Sequence, residues 1–257
     1  AAAARREVGV ADADEVSTLT ATSSTATRVS LLGSVYQSGD PRDQVLSPDG
    51  GRAILTTDVT DQDAYVTATR VAVVNTATGR SIGSAQTING ERTSAPVVTA
   101  DSSRAVITTR WAVAVIDTST GAQVGSPIGI SYSGQPVLSA NGTRAVVAGN
   151  EGVVVINTTT GQQVGTTASP GSSRSIAGSG KGNNVLIITV DPDAGGKPIT
   201  RVMVIDTTTG SQTGSTLTLG GSTPWQSPLF SSDGAHALFV TEDPDAAETA
   251  LASLGEA

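Results

Sequence analysis

Short apolar runs fill this chain, separated by turns rich in Thr, Ser, Gly and Asp. Between Arg104 and Gly121, RAVITTRWAVAVIDTSTG holds two such runs, each of strand length. The second closes on DTSTG, and that ending returns as NTATG, NTTTG and DTTTG. The terminal glycines Gly79, Gly121, Gly161 and Gly210 stand 42, 40 and 49 residues apart, a spacing that marks a repeat architecture. A second landmark travels with the first. SPDGGRAIL, TADSSRAVI, SANGTRAVV and SSDGAHALF share one plan, and the following strands begin at Arg52, Arg104, Arg144 and His236. The Asp-Gly and Asn-Gly pairs supply the positive φ of a tight hairpin. Pro96, Pro136 and Pro228 recur where a strand starts, the place in a sheet that best tolerates proline.

Each repeat therefore offers four short strands, read as IGSAQTI, SAPVVTA, RAVITT and WAVAVID in the unit ending at Asp117. Four antiparallel strands per unit of this length predict an all-β fold, a β-propeller of four-stranded blades. An open solenoid or a row of sandwiches is the alternative. Counting units gives five blades, with six, or part of a larger ring, as the other count. Residues 1-15 read as a flexible leader, 16-241 as the propeller, and 242-257 as a tail or short helix. The last unit lacks a fourth strand, and the segment around 28-32 is expected to supply it and close the ring. The strands expected innermost, IGSAQTI, VGSPIGI and QTGSTLTL, carry almost no ionisable side chains.

Composition narrows the chemistry. Only 3% of the 257 residues are aromatic, so the core must come from Val, Ile, Leu and Ala. With no cysteine, disulfides, zinc-thiolate sites and a cysteine nucleophile are excluded. A net charge of -8 argues against a nucleic-acid footprint. No apolar run reaches the roughly 20 residues that span a bilayer as a helix. Lysine is confined to Lys181 and Lys197, while Ala, Gly, Thr and Arg abound, a skew that points to a GC-rich bacterial genome.

His236, the only histidine, occupies the column of Arg52, Arg104 and Arg144, so a strand-start role accounts for it. Asn75, Asp117, Asn157 and Asp206 stand where a short side chain caps its own turn. Acidic clusters follow the second hairpin strands: Asp58, Asp61 and Asp63; Asp191 and Asp193; Glu242, Asp243 and Asp245. Hard cations take several oxygen ligands from flexible loops, so weak Ca²⁺ binding is a reading of these clusters beside that of a solvated acidic surface. No other cofactor is expected. Trp111 and Trp225 are the candidate partner-binding anchors.

The strand, S-x-D-G turn, strand and V-x-V-I-D-T-x-T-G pattern over residues 43-241 resembles the YVTN-type β-propeller repeat family, in a variant similar to repeats of exported actinobacterial, notably mycobacterial, proteins. The name-giving Tyr-Val-Thr-Asn is replaced here by AILTT, AVITT, AVVAG and ALFVT. The resemblance implies a secreted or cell-surface repeat module, part of a larger polypeptide. Its partner would be a protein or cell-envelope component, held by the variable loops. A non-enzymatic binding or scaffold role is the first expectation; a metal-dependent hydrolase or lactonase-like propeller is the rival.

Overall fold

The structure, a computed structural model, describes residues 15-17, 34-36, 40-63, 65-150, 152-165, 173-178, 183-222, 228-231, 236-242 and 247-253. A small antiparallel ribbon joins β1 (Glu15–Ser17) to β2 (Ser34–Tyr36). The first sheet then runs β3 (Asp40–Leu46), β4 (Arg52–Thr60), β5 (Val66–Asn75) and β6 (Arg80–Asn89). The second holds β7 (Val97–Val98), β8 (Arg104–Thr108), β9 (Ala112–Asp117) and β10 (Gln123–Gly129). The third holds β11 (Val137–Leu138), β12 (Arg144–Gly149), β13 (Gly152–Asn157) and β14 (Gln163–Val164). The fourth holds β15 (Ser173–Gly178), β16 (Asn184–Pro192), β17 (Pro198–Asp206) and β18 (Ser211–Gly220). The fifth has three described strands, β19 (Leu229–Phe230), β20 (His236–Glu242) and β21 (Ala247–Ser253). This is an all-β array of four-stranded antiparallel blades, about five in number, as the repeat predicts.

Packing explains why the middle strands are apolar throughout. Alternate side chains of a strand point to opposite faces of its sheet, and here both faces are covered. Ala105 and Ile107 join Ile54, Val71 and Val73 of the first sheet in one cluster. Val106, between them in sequence, packs with Ala145, Val147 and Ile156 of the third sheet. Val146, Val155, Val185 and Ile205 fill the next interface, and Leu186, Val202 and Ala237 the one after. The core is thus a row of inter-sheet layers built from Val, Ile, Leu and Ala.

The phase of the blades differs from the expectation. The strands read as innermost belong to β6, β10 and β18, each of which is the last strand of its sheet. Their side chains are largely exposed. Each shows a register shift against its neighbour, a bulge that blunts the free edge. The first strands meet instead: β11 contacts β15 of the next sheet. Thr93 and Ser133, in the segments leading to β7 and β11, share a hydroxyl–hydroxyl hydrogen bond of 3.1 Å. Ionisable side chains do reach this inner region, since Asp43 of β3 pairs with Arg92 at 2.5 Å. The sequence 247-253, expected as tail or helix, is strand β21, paired in register from His236↔Ser253 to Glu242↔Ala247. This segment is the outer strand of the fifth sheet, next to β20. The predicted closing strand around 28-32 and most of the 1-15 leader lie outside the described residues.

Both turn motifs form as read. Ser47 Oγ receives the N–H of Arg52 at 2.9 Å, and Thr99 and Ser139 repeat this with Arg104 and Arg144 at 3.0 Å. Asp117 Oδ1 accepts from the N–H of Ser119 at 2.8 Å and of Thr120 at 3.1 Å, and Arg104 pairs with Asp117 at 2.7 Å. Hydroxyl donation from Ser47 and Thr99, then backbone donation from Gly51 and Ser103, lowers the Asp49 and Asp101 carboxyls below their ordinary value of 3.8. At Asp117 burial pushes the carboxyl up, but the Ser119 donors and Arg104 outweigh it, and the net direction is also down. Where the folded value lies below the unfolded one, the unfolded chain binds more protons between the two. The stabilisation is therefore present above about pH 4 and is lost as pH falls through the lowered values. The melting temperature should fall with acidification below about pH 4, and less steeply in the Asp101→Asn/Asp117→Asn variant. An equal slope in both proteins would remove these turns from the account.

Candidate functional site

The hairpins Ser47–Arg52 and their repeats lie at one end of the sheets. The β4–β5, β8–β9 and β16–β17 connections lie at the other, together with the crossings from one sheet to the next. This second face carries Asp58, Asp61, Asp63, Trp111, Asp191 and Asp193, the described ones among the candidate metal and partner-binding residues.

Its acidic residues are largely employed by the fold. Asp58 and Asp191 are not loop residues but lie in β4 and β16, which run further than the sequence pattern indicates. Asp58 is 1% exposed and takes a hydrogen bond from Arg42 Nε; Asp191 takes one from Arg201 at 2.8 Å. Asp61 Oδ1 accepts the N–H groups of Asp63 at 3.0 Å and Tyr65 at 2.9 Å. Asp193 Oδ1 accepts those of Gly195 and Lys197, both at 2.8 Å. Each of these two caps its own turn. Among the described residues no three His, Cys, Asp or Glu side chains gather as a metal site. Asp243, Asp245 and Trp225 lie outside the described residues. His236 begins β20, its N–H on Ser231 Oγ at 2.9 Å, in the same place as Arg52, Arg104 and Arg144.

Trp111 is different. It stands in the β8–β9 connection, 46% exposed, with its ring against the backbone of Gly90 from the neighbouring sheet. A Cβ on Gly90 would come within 2.6 Å of Trp111 Cδ1, so glycine is what lets the indole lie there. Arg110 and Tyr132, which the sequence reading did not single out as a pair, complete the group. The Arg110 guanidinium lies 5.1 Å from the Trp111 ring centroid and 4.5 Å from that of Tyr132, and it donates to the Tyr132 hydroxyl. The two rings meet edge to face, 5.8 Å apart at 67°. Tyr132 is 47% exposed and has a φ of 51°, a left-handed conformation uncommon for a tyrosine. Backbone bonds fix it there: Tyr132 N–H to Arg110 O at 2.8 Å, Ile130 N–H to Trp111 O at 3.1 Å, and Arg110 N–H to Glu91 O at 2.6 Å. On the adjoining sheet Tyr65, 72% exposed, sits at the end of the Asp61 turn. Two residues on, Thr67 O receives the N–H of Gly90 at 2.9 Å, which ties that turn to the ground beneath Trp111. The result is an aromatic ridge: Trp111, Arg110 and Tyr132 in mutual contact, with Tyr65 on the adjoining sheet at the same end. Its signal in the sequence was the Arg-Trp pair placed between two apolar strands.

No protein-family model matches the chain. No curated protein matches it either. Many solved structures do. A eukaryotic initiation factor aligns with a TM-score of 0.53 and 14% identity, over 86% of this chain and 54% of that one. The β-propeller domain of the trilobed protease from Pyrococcus furiosus, described as having an open velcro topology, aligns with a TM-score of 0.51 and 8% identity, over 79% and 63%. At these identities the likeness is one of fold, and it supports the multi-bladed propeller. The chain spans about half the length of another structure it matches, Kuenenia stuttgartiensis hydrazine synthase, with a TM-score of 0.49 and 19% identity over 77% of this chain and 54% of that one. No helix among the described residues is long and apolar enough to cross a membrane.

Proposed function

We propose that this chain is a non-enzymatic interaction module with YVTN-type repeats, in an exported or cell-surface bacterial protein of actinobacterial type. Its partner is a polypeptide of the cell envelope or its surroundings. One observation carries the reading: how the aromatic side chains among the described residues are used. Phe230 packs beside the Leu186 cluster, whereas Tyr65, Trp111 and Tyr132 stand exposed on one face. A core of Val, Ile, Leu and Ala has no need of these rings. Trp, Tyr and Arg are the residue types that dominate binding energy at protein interfaces, and rigid placement lowers the cost of using them.

Selection of random peptides displayed on phage, with counter-selection on the Trp111→Ala/Tyr132→Ala variant, tests this. Peptides that bind the parent and lose about tenfold or more in affinity on the variant are the expected result. No enrichment, or binders indifferent to both substitutions, would overturn it. A screen against esters, lactones, glycosides and peptides, with and without divalent metals, should return background rates. Turnover abolished by changing a single carboxylate or His236, with the fold retained, would replace the reading with an enzymatic one.

A further inference from the structure

Resting on that interaction reading, we infer that the ridge takes a cationic polypeptide segment, one whose Lys or Arg side chains lie along Tyr65 and the exposed part of Trp111. The inference comes from where charge along the ridge is compensated and where it is not. Arg110 is the ridge's own cation, and it is already engaged. The Trp111 and Tyr132 rings lie within cation–π range of its guanidinium, and its Nη2 donates to the Tyr132 hydroxyl. Arg92, next along, is paired with Asp43 at 2.5 Å. Buried Asp58 is paired with Arg42.

Three carboxylates remain: Asp61 and Asp63 in the turn that presents Tyr65, and Glu91, whose carbonyl anchors Arg110. All three are exposed and form no ion pair among the described residues. The rings leave the charge of Arg110 in place, but three carboxylates outnumber it, so the ridge combines ring surface with net negative charge. That is the environment a long cationic side chain suits, its methylene stem on the ring and its charged head towards carboxylates. The whole chain, at -8, adds long-range attraction of the same sign and disfavours phosphate-bearing partners. A neutral sugar would stack on the rings and donate hydroxyls to the carboxylates, but it would leave their charge unbalanced.

The peptides selected above on the parent protein decide the matter. Those that depend on Trp111 are expected to be enriched in Lys and Arg, and to bind more weakly as salt rises from about 50 mM to 500 mM, where charge interactions are screened. In the Asp61→Asn/Asp63→Asn/Glu91→Gln variant their affinity should drop about threefold per carboxylate removed. The melting temperature of that variant shows that the fold is kept. Trp111-dependent peptides that are neutral or acidic, or whose binding ignores both salt and the triple substitution, would overturn the cationic partner and leave the interaction face standing. So would Trp111-dependent binding on an array of neutral glycans. Absence of any Trp111-dependent binder would overturn both readings together.

Discussion

Gly121→Ala should cost on the order of 4 kcal/mol, a large share of a total stability of about 5–15 kcal/mol. Gly121 closes the DTSTG turn with a φ of 69°. An added Cβ would stand 2.0 Å from Ile82 O in the outer strand of the preceding sheet. That obstacle is backbone, so no side chain can swing aside. The approach is mutual, because a Cβ on Gly83 would stand 2.0 Å from Thr120 O. It recurs along the array: a Cβ on Gly161 would stand 1.9 Å from Val124 O, and one on Gly210 would stand 2.0 Å from Val164 O. The terminal glycine of each of these turns thus keys one sheet against the one before, and the sheets would have to part to admit a methyl group. Parting them loosens the layer of Ile54, Val73, Ile107 and Ile116. Gly50→Ala is the control. Gly50 has nearly the same φ, 67°, with nothing within 4 Å of the added carbon. It should lose only the roughly 1–2 kcal/mol of an alanine held in left-handed backbone. Chemical denaturation of both variants reads the difference. Equal losses would mean that the sheet-to-sheet contact contributes nothing.

The same contact explains what the sequence made legible. The turn glycines are visible because two demands, positive φ and absent side chain, fall on one position and repeat with it. The apolar runs are visible because both faces of Ala105–Ile107 and their counterparts are buried. The phase of the blades was hidden for an equally physical reason. A repeat is cyclic, and nothing in its period says where a sheet begins. The DTxTG turn is conspicuous and invites a boundary, but a tight turn joins neighbours within one sheet. The crossing between sheets runs from an outer edge to an inner strand and needs more chain. That makes the inconspicuous Gly90–Pro96 and Ile130–Pro136 segments the true boundaries.

The ridge was half legible. Trp111 drew notice through rarity, since the chain has two tryptophans. Arg110 and Tyr132 are 22 residues apart, and no local spacing announces that a guanidinium will lie over both rings. Gly90 gave no sign of its role because its partner is the indole of the next sheet. The acidic clusters hide a difference of another kind. Composition sees Asp58 and Asp61 as alike, whereas strand β4 carries the first inward to Arg42 and leaves the second in a turn.

That inward carboxylate sets the second large effect. Arg42→Ala should destabilise the protein by about 2 kcal/mol, since removing one partner of a buried pair strands the other charge away from water. The cost stays below that of a wholly buried pair because Arg42 is 44% exposed and water already shares its charge. Asp58 has little such relief: its side chain is 1% exposed, and Oδ1 has no hydrogen-bond partner among the described residues. Asp58→Asn keeps the shape, removes the charge and should cost about 1 kcal/mol through the weakened hydrogen bond. In the double variant the stranded charge is gone, so the combined loss should fall short of the sum by about 1 kcal/mol or more. Urea denaturation of the four proteins closes the cycle. Strict additivity, or a loss under about 0.5 kcal/mol for Arg42→Ala, would demote the pair to an ordinary surface contact. The result bears on function because β4 continues from this pair, through one register shift at Val59–Thr60, into the Asp61 turn that presents Tyr65. An anchored strand end holds that ring in place for a partner. Loss of the anchor should therefore weaken the Trp111-dependent peptides about twofold to fivefold even at temperatures where the variant remains folded.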